Sequence, residues 1–102
     1  LRQFDVLENP NVGSRAYAPY VVVLQSHHLD PLRTVLLAPL VNDAQRTVSS
    51  VDIAIEFRGK ELVLVVAEVA GVKREPFGRV LGSVRDHEEP IRRALERLLT
   101  GF

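Results

Sequence analysis

Residues 51–69 read "VDIAIEF", "RGK", "ELVLVVAEV". In the first run Val51, Ile53, Ile55 and Phe57 alternate with Asp52, Ala54 and Glu56. A period of two belongs to an extended strand with unlike faces. The three residues that follow have room only for a tight turn, so the second apolar run must return beside the first. An antiparallel hairpin with one buried face is therefore expected, and the rest of the chain has to cover that face.

Three more runs are expected as strands. "QFDVL" (Gln3 to Leu7) alternates, and the turn-forming "ENPNVGSRAYAP" after it reads as a loop. "YVVVLQS" (Tyr20 to Ser26) is apolar and β-branched without a break, which suits a strand covered on both faces. Asp30-Pro31 interrupts the chain as a turn, and "TVLLAPL" (Thr34 to Leu40) follows, with Pro39 pointing to an edge or an exit from the ladder. "VNDAQRTVSS" reads as a polar connection. Between 70 and 82 the residues Gly71, Pro76, Gly78 and Gly82 allow only a short strand or two with bends, and the pairing of 67–84 is left open.

The closing segment changes period. Ile91, Ala94, Leu95, Leu98 and Leu99 form one apolar stripe at helical spacing. Asp86 and Glu89 stand at capping-box spacing, Pro90 fits a first turn, and Gly101 supplies a left-handed stop. Glu88 with Arg92 and Glu89 with Arg93 are i, i+4 pairs, each worth about 0.3 kcal/mol. The plan is five or so antiparallel strands with one helix at the end, mainly β in class (α+β). A small curled sheet or barrel is how so few strands enclose a core.

The totals narrow the function. The 102 residues suit a single domain, 1–102, with one core. There is no cysteine for a disulfide or a thiolate metal site. Thirteen basic residues balance thirteen acidic ones, a poor field for a partner held through phosphates. No apolar run approaches a membrane span and the first residues are not a signal peptide, so a cytoplasmic protein is expected.

Groups that resemble chemistry have plainer readings. His27, His28 and Asp30 have metal-ligand types, but neighbours at a strand end point apart, and a solvated loop accounts for them. Ser26, His27 and Asp30 lack the nucleophile elbow of a hydrolase. Arg92, Arg93 and Arg97 read as a solvated face balanced by glutamates. What remains is the end of the helix. The stripe of Ile91, Ala94, Leu95, Leu98 and Leu99 reads first as core packing; a helix docked on a small sheet buries only that stripe, so the last turn and Phe102 are expected to project past its edge. An apolar end held rigidly loses little entropy on binding, which favours a binding module over an enzyme.

These residues resemble the CcdB family, toxins of bacterial type II toxin–antitoxin pairs. "QFDV", "YVVVLQS", "LDPLRTVLLAPL" and "GSVRDHEEPIRRALERLLTGF" fall in that family's order and spacing over nearly the whole chain. The resemblance implies an SH3-like small barrel with a C-terminal helix, a homodimer, and action without catalysis, cofactor or metal. It implies that the dimer binds the DNA gyrase A subunit and traps the enzyme on cleaved DNA, with no direct nucleic-acid binding and no membrane. The family's last three residues make that contact and match Thr100, Gly101 and Phe102, with Leu99 and Glu96 beside them. A CcdA-like antitoxin with a disordered tail is the implied neutralising partner, on a surface that includes His28, Leu29, Leu98 and Leu99. Thr100 replaces a Trp of the best-known member, and His27 replaces an acid. MazF-type endoribonucleases share this fold and form the alternative, although their early "RGDIW"-like segment is absent here. A non-toxic homologue that binds only an antitoxin is the third reading.

Overall fold

The computed structural model describes residues 1–26, 33–42 and 49–101. Among them the elements are β1 (Asp5–Glu8), β2 (Tyr20–Val23), β3 (Thr34–Val41), β4 (Asp52–Phe57), β5 (Lys60–Val65), β6 (Ala70–Lys73), β7 (Gly82–Ser83) and α1 (Glu88–Thr100). All pairings are antiparallel, in the order β4-β5-β3-β2-β1-β7, with β6 also on β3. The expected mainly β fold with a terminal helix is present, as a sheet curled into a half-barrel.

The hairpin follows its period. Phe57 pairs with Lys60 across Arg58 and Gly59, whose φ angles of 51° and 77° are those of a mirror-image turn that matches strand twist. Ile55 is buried in the main core, with Val51, Ile53 and Phe57 packed against it. Ala54 and Glu56 face solvent. Asp52 departs from the alternation, being buried while it accepts a hydrogen bond from the Ser49 N–H at 3.1 Å. The apolar run of β2 is covered on both sides as expected. Val22 joins Phe4, Val6, Ala38, Leu40 and Leu64 in the main core. Val21 and Val23 join Leu7, Val35 and Leu37 on the opposite face, beneath Phe77.

Several boundaries differ from the sequence expectation, each through a tertiary contact. The first strand begins at Asp5, because Phe4 takes a left-handed φ of 74°. Its N–H donates to Val23 at 2.7 Å and its carbonyl accepts from Val84 at 2.9 Å, so the kink joins two distant segments. β2 ends at Val23 rather than Ser26. The run 61–69 is not one strand, since a 3-10 turn at Val66–Glu68 divides β5 from β6. That break lets β3 take two partners along one side: β6 opposite Thr34–Leu37 and β5 opposite Leu40 and Val41.

Pro39 sits in the gap between those partners, on an internal strand and not an edge. Leu24 donates to Leu36 at 3.0 Å, so by alternation the Val21–Pro39 pair is a non-bonded one. The donor that proline lacks would have pointed into the gap, where no strand needs it.

The two ends of the sheet order meet at the hairpin tip. An Arg58 Nη2 donates to the Leu81 carbonyl at 3.0 Å, and the Phe57 ring lies over Gly82. A Cβ at Gly82 would stand 2.8 Å from Cε1 of that ring, which is held edge-on by Tyr20 at 5.2 Å between centroids. Gly82→Ala is expected to cost about 1–2 kcal/mol through overpacking, lowering Tm by roughly 4–15 °C in a thermal melt. An unchanged melt would show that the seam yields freely.

Candidate functional site

α1 is built to be fixed at one end and bare at the other. Glu88 and Glu89 place negative charge in the first turn, where the helix dipole favours it. Pro90 sits in that same turn, where a missing donor has no partner to lose. The expected capping box does not form: Asp86 lies in a 3-10 turn (Arg85–His87), His87 is the N-cap, and no side chain caps the helix. Ser83 Oγ instead accepts from the Arg85 N–H at 3.1 Å, and His87 N–H donates to the Val84 carbonyl at 2.9 Å. The chain thus enters the helix from β7 through a turn already closed on itself. The two expected ion pairs are present, each at 3.5 Å and exposed, so each contributes little.

The stripe divides midway. Ile91 and Ala94 are buried in the main core, and Leu95 packs against it. Leu98 and Leu99 lie beyond the covered part, 39% and 80% exposed. Helix spacing groups Glu96 with Leu99 and Thr100, all exposed, while Leu98 continues the line of the buried residues.

This bare end is nevertheless tied down. An Arg97 Nη1 donates to the Ser50 carbonyl at 2.9 Å, joining the last turn to the segment before β4. Thr100 Oγ1 donates to the Glu96 carbonyl at 2.7 Å. Gly101 takes φ 80° and donates its N–H to the Arg97 carbonyl at 2.8 Å, the left-handed stop expected from its type. The outcome is a conformationally restricted tip in which Leu98 and Leu99 present apolar surface beside Glu96, Thr100 and Gly101.

Of the remaining candidates, Phe102, His28 and Leu29 lie outside the described residues, as do His27 and Asp30 of the metal-like and triad-like groups. Among the described residues no cluster of His, Cys, Asp or Glu is arranged to hold a metal, and no helix is long and apolar enough to cross a membrane. His87, the histidine among them, makes no side-chain hydrogen bond.

Sequence reasoning missed the Arg97–Ser50 tie and the buried Asp52. Ser49 and Asp52 stand three apart, the spacing at which a short polar side chain caps a local turn, and that was the available signal. The arginine contact spans 47 positions and has no local signature.

The family model described as CcdB protein matches residues 3–101. No curated protein matches the chain. Solved structures share its fold at low identity. An endoribonuclease from a mycobacterial species, in complex with its cognate antitoxin, superposes with a TM-score of 0.75 at 14% identity, over 97% of this chain and 94% of that one. A second structure, of an endoribonuclease from a mycobacterial species, gives 0.74 at 13% identity, over 97% and 90%. The Mycobacterium tuberculosis toxin MazF-mt6 gives 0.62 at 17% identity, over 78% and 84%.

Proposed function

This chain belongs to the CcdB protein family, and from that premise we propose that it is the toxin of a toxin–antitoxin pair, acting as one domain over residues 1–102. Its target is the DNA gyrase A subunit, which it traps on cleaved DNA, and it does so as a homodimer and by contact alone. Glu96, Leu99, Thr100, Gly101 and Phe102 form the gyrase-binding end. His28, Leu29, Leu98 and Leu99 belong to the surface taken by a CcdA-like antitoxin.

The observation that carries this reading is the divided helix. A side chain 80% exposed at the end of a helix whose first half is locked in the core is an unusual place for leucine. Its apolar area is held in position before any partner arrives, so association loses little conformational entropy. A folding antitoxin tail that covers the same end would compete with gyrase by occupying it.

The mycobacterial endoribonucleases with this fold favour a second reading, RNA cleavage, because one of them is held by a cognate antitoxin. Fold by itself does not select between the two chemistries. The neutral charge supports the contact mechanism.

Binding of the full chain and of a chain lacking residues 100–102 to the dimerisation fragment of gyrase A tests the proposal. The full chain is expected to bind, and the truncated one to lose at least about 100-fold in affinity while remaining folded and antitoxin-bound, as removal of hot-spot contacts does. Equal binding by both chains would overturn the assignment of the tip. Specific cleavage of RNA by the pure protein would replace the gyrase reading altogether.

A further inference from the structure

β4 ends the sheet order, and among the described residues no strand pairs with its outer edge. The two-residue turn makes Phe57–Lys60 a hydrogen-bonded pair, so Ile55–Leu62 and Ile53–Leu64 are bonded pairs as well. The N–H and C=O groups of Ala54 and Glu56 therefore point away from β5. The Asp52 N–H obeys the same alternation, turning outward to the Ser49 carbonyl at 3.1 Å. Neither Ala54 nor Glu56 has a further backbone hydrogen bond. An edge left like this is a template for another strand.

A groove of about 320 Å³ runs along that edge. Asp52, Ile53 and Ala54 form one wall, and Pro90, Arg93 and Arg97 of α1 form the other. No residue of β5 lines it, although β5 pairs with β4 over its full length, which places the groove on the outer side.

The helix wall sets two cations against the one carboxylate of the strand wall, Asp52, which accepts from the Ser49 N–H, and this excess of positive charge decides what fits. Arg93 and Arg97 stand one turn apart on the same face, an arrangement that is unfavourable for like charges unless an anion lies between them. Among the described residues Arg97 binds a neutral carbonyl and pairs with no carboxylate, and Arg93 has its exposed contact to Glu89 at 3.5 Å. Self-pairing of β4 about Ala54 would instead set Asp52 opposite Glu56 of the second copy, an acidic pair across the new ladder.

We propose that the open edge of β4, with Arg93 and Arg97 beside it, takes an extended acidic segment of a partner protein by sheet extension. The backbone of the segment bonds to Ala54 and Glu56. Alternate side chains project toward the two arginines and carry carboxylates. The intervening ones lie beside Ala54 and Glu56 and are neutral or basic. The site adjoins the helix tip through Arg97, but its test reads peptide binding alone, so it stands or falls independently of the gyrase reading.

The probe is a hexapeptide alternating Glu with Thr, blocked at both ends, and a second peptide with Lys in place of Glu. Titration of the full chain by fluorescence anisotropy is expected to show binding of the acidic peptide, and at least ten-fold weaker binding of the basic one. Exchange of the Ala54 and Glu56 amides should slow when the acidic peptide is present. Arg93→Glu, which leaves the Arg97–Ser50 tie in place, should reduce its affinity at least ten-fold. Ala54→Pro should abolish binding, while circular dichroism stays unchanged because proline at an outward edge position removes no ladder bond. Absence of binding at millimolar acidic peptide, equal binding of the basic peptide, or unaltered affinity in a folded Ala54→Pro variant would each overturn the inference.

Discussion

Leu99→Lys is expected to leave the protein folded and to remove growth arrest. The side chain is 80% exposed, and surface substitutions of that kind change stability by no more than about 0.5 kcal/mol. A cation in the last turn also suits the helix dipole, so the melt should not fall. Binding is another matter. An apolar anchor at the centre of an interface contributes about 2–4 kcal/mol, and a desolvated lysine in its place adds a further penalty. Affinity for the gyrase A fragment should drop at least about 100-fold, measured by calorimetry beside a thermal melt of the same sample. Leu98→Lys should show a smaller loss of affinity and some loss of stability, since Leu98 is 39% exposed and more of it touches the protein. A Leu99→Lys variant as potent as the parent would remove the tip from the mechanism.

Phe4→Ala is expected to be the most damaging single truncation in the core. The ring is 1% exposed, packs in the main cluster, and lies 6.0 Å from the Arg85 guanidinium carbon. Its backbone joins β2 to the segment leading into α1, through Val23 on one side and Val84 on the other. A bulky residue at φ 74° is held there by its surroundings, here the backbone bonds to Val23 and Val84 and the packing of the ring in the main core. Loss of a buried phenyl costs about 3–5 kcal/mol, a large part of the stability of a domain this size. Tm should fall by at least ~12 °C, and the urea midpoint should fall with little change in slope. A loss below about 1 kcal/mol would show that the kink closes without the ring.

The features that could be read from the sequence are those whose cause is local. The β4–β5 hairpin and α1 were legible because a period of two and a stripe at helical spacing are each produced by neighbours in the chain. Gly101 was legible for the same reason, as a residue type tied to one backbone conformation. The Phe4 kink was not, because its bonds go to Val23 and Val84. The break at Val66 was hidden in an unbroken apolar run, since both halves need β-branched residues and only the division of β3 between two partners separates them. Asp86 and Glu89 had the right spacing for a cap, but the incoming chain closes its turn with Ser83 and leaves no vacancy for one. At the site, a projecting last turn was expected, but the stripe read as core through Leu99, and only the folded sheet shows that its cover stops after Leu95. The Arg97–Ser50 tie and the groove beside Ala54 both arise from elements that meet only after folding.

The shared side of β3 has a mechanical consequence. The β4–β5 arm is laddered to the rest of the sheet through two rungs, Leu40–Leu64 and Val41–Val63. α1 leans on that arm, through the core contacts of Ile91 and Ala94 and the anchor of Arg97 on Ser50. The aim of the helix thus depends on an outrigger, and a change at either rung is expected to re-point the helix tip without touching it.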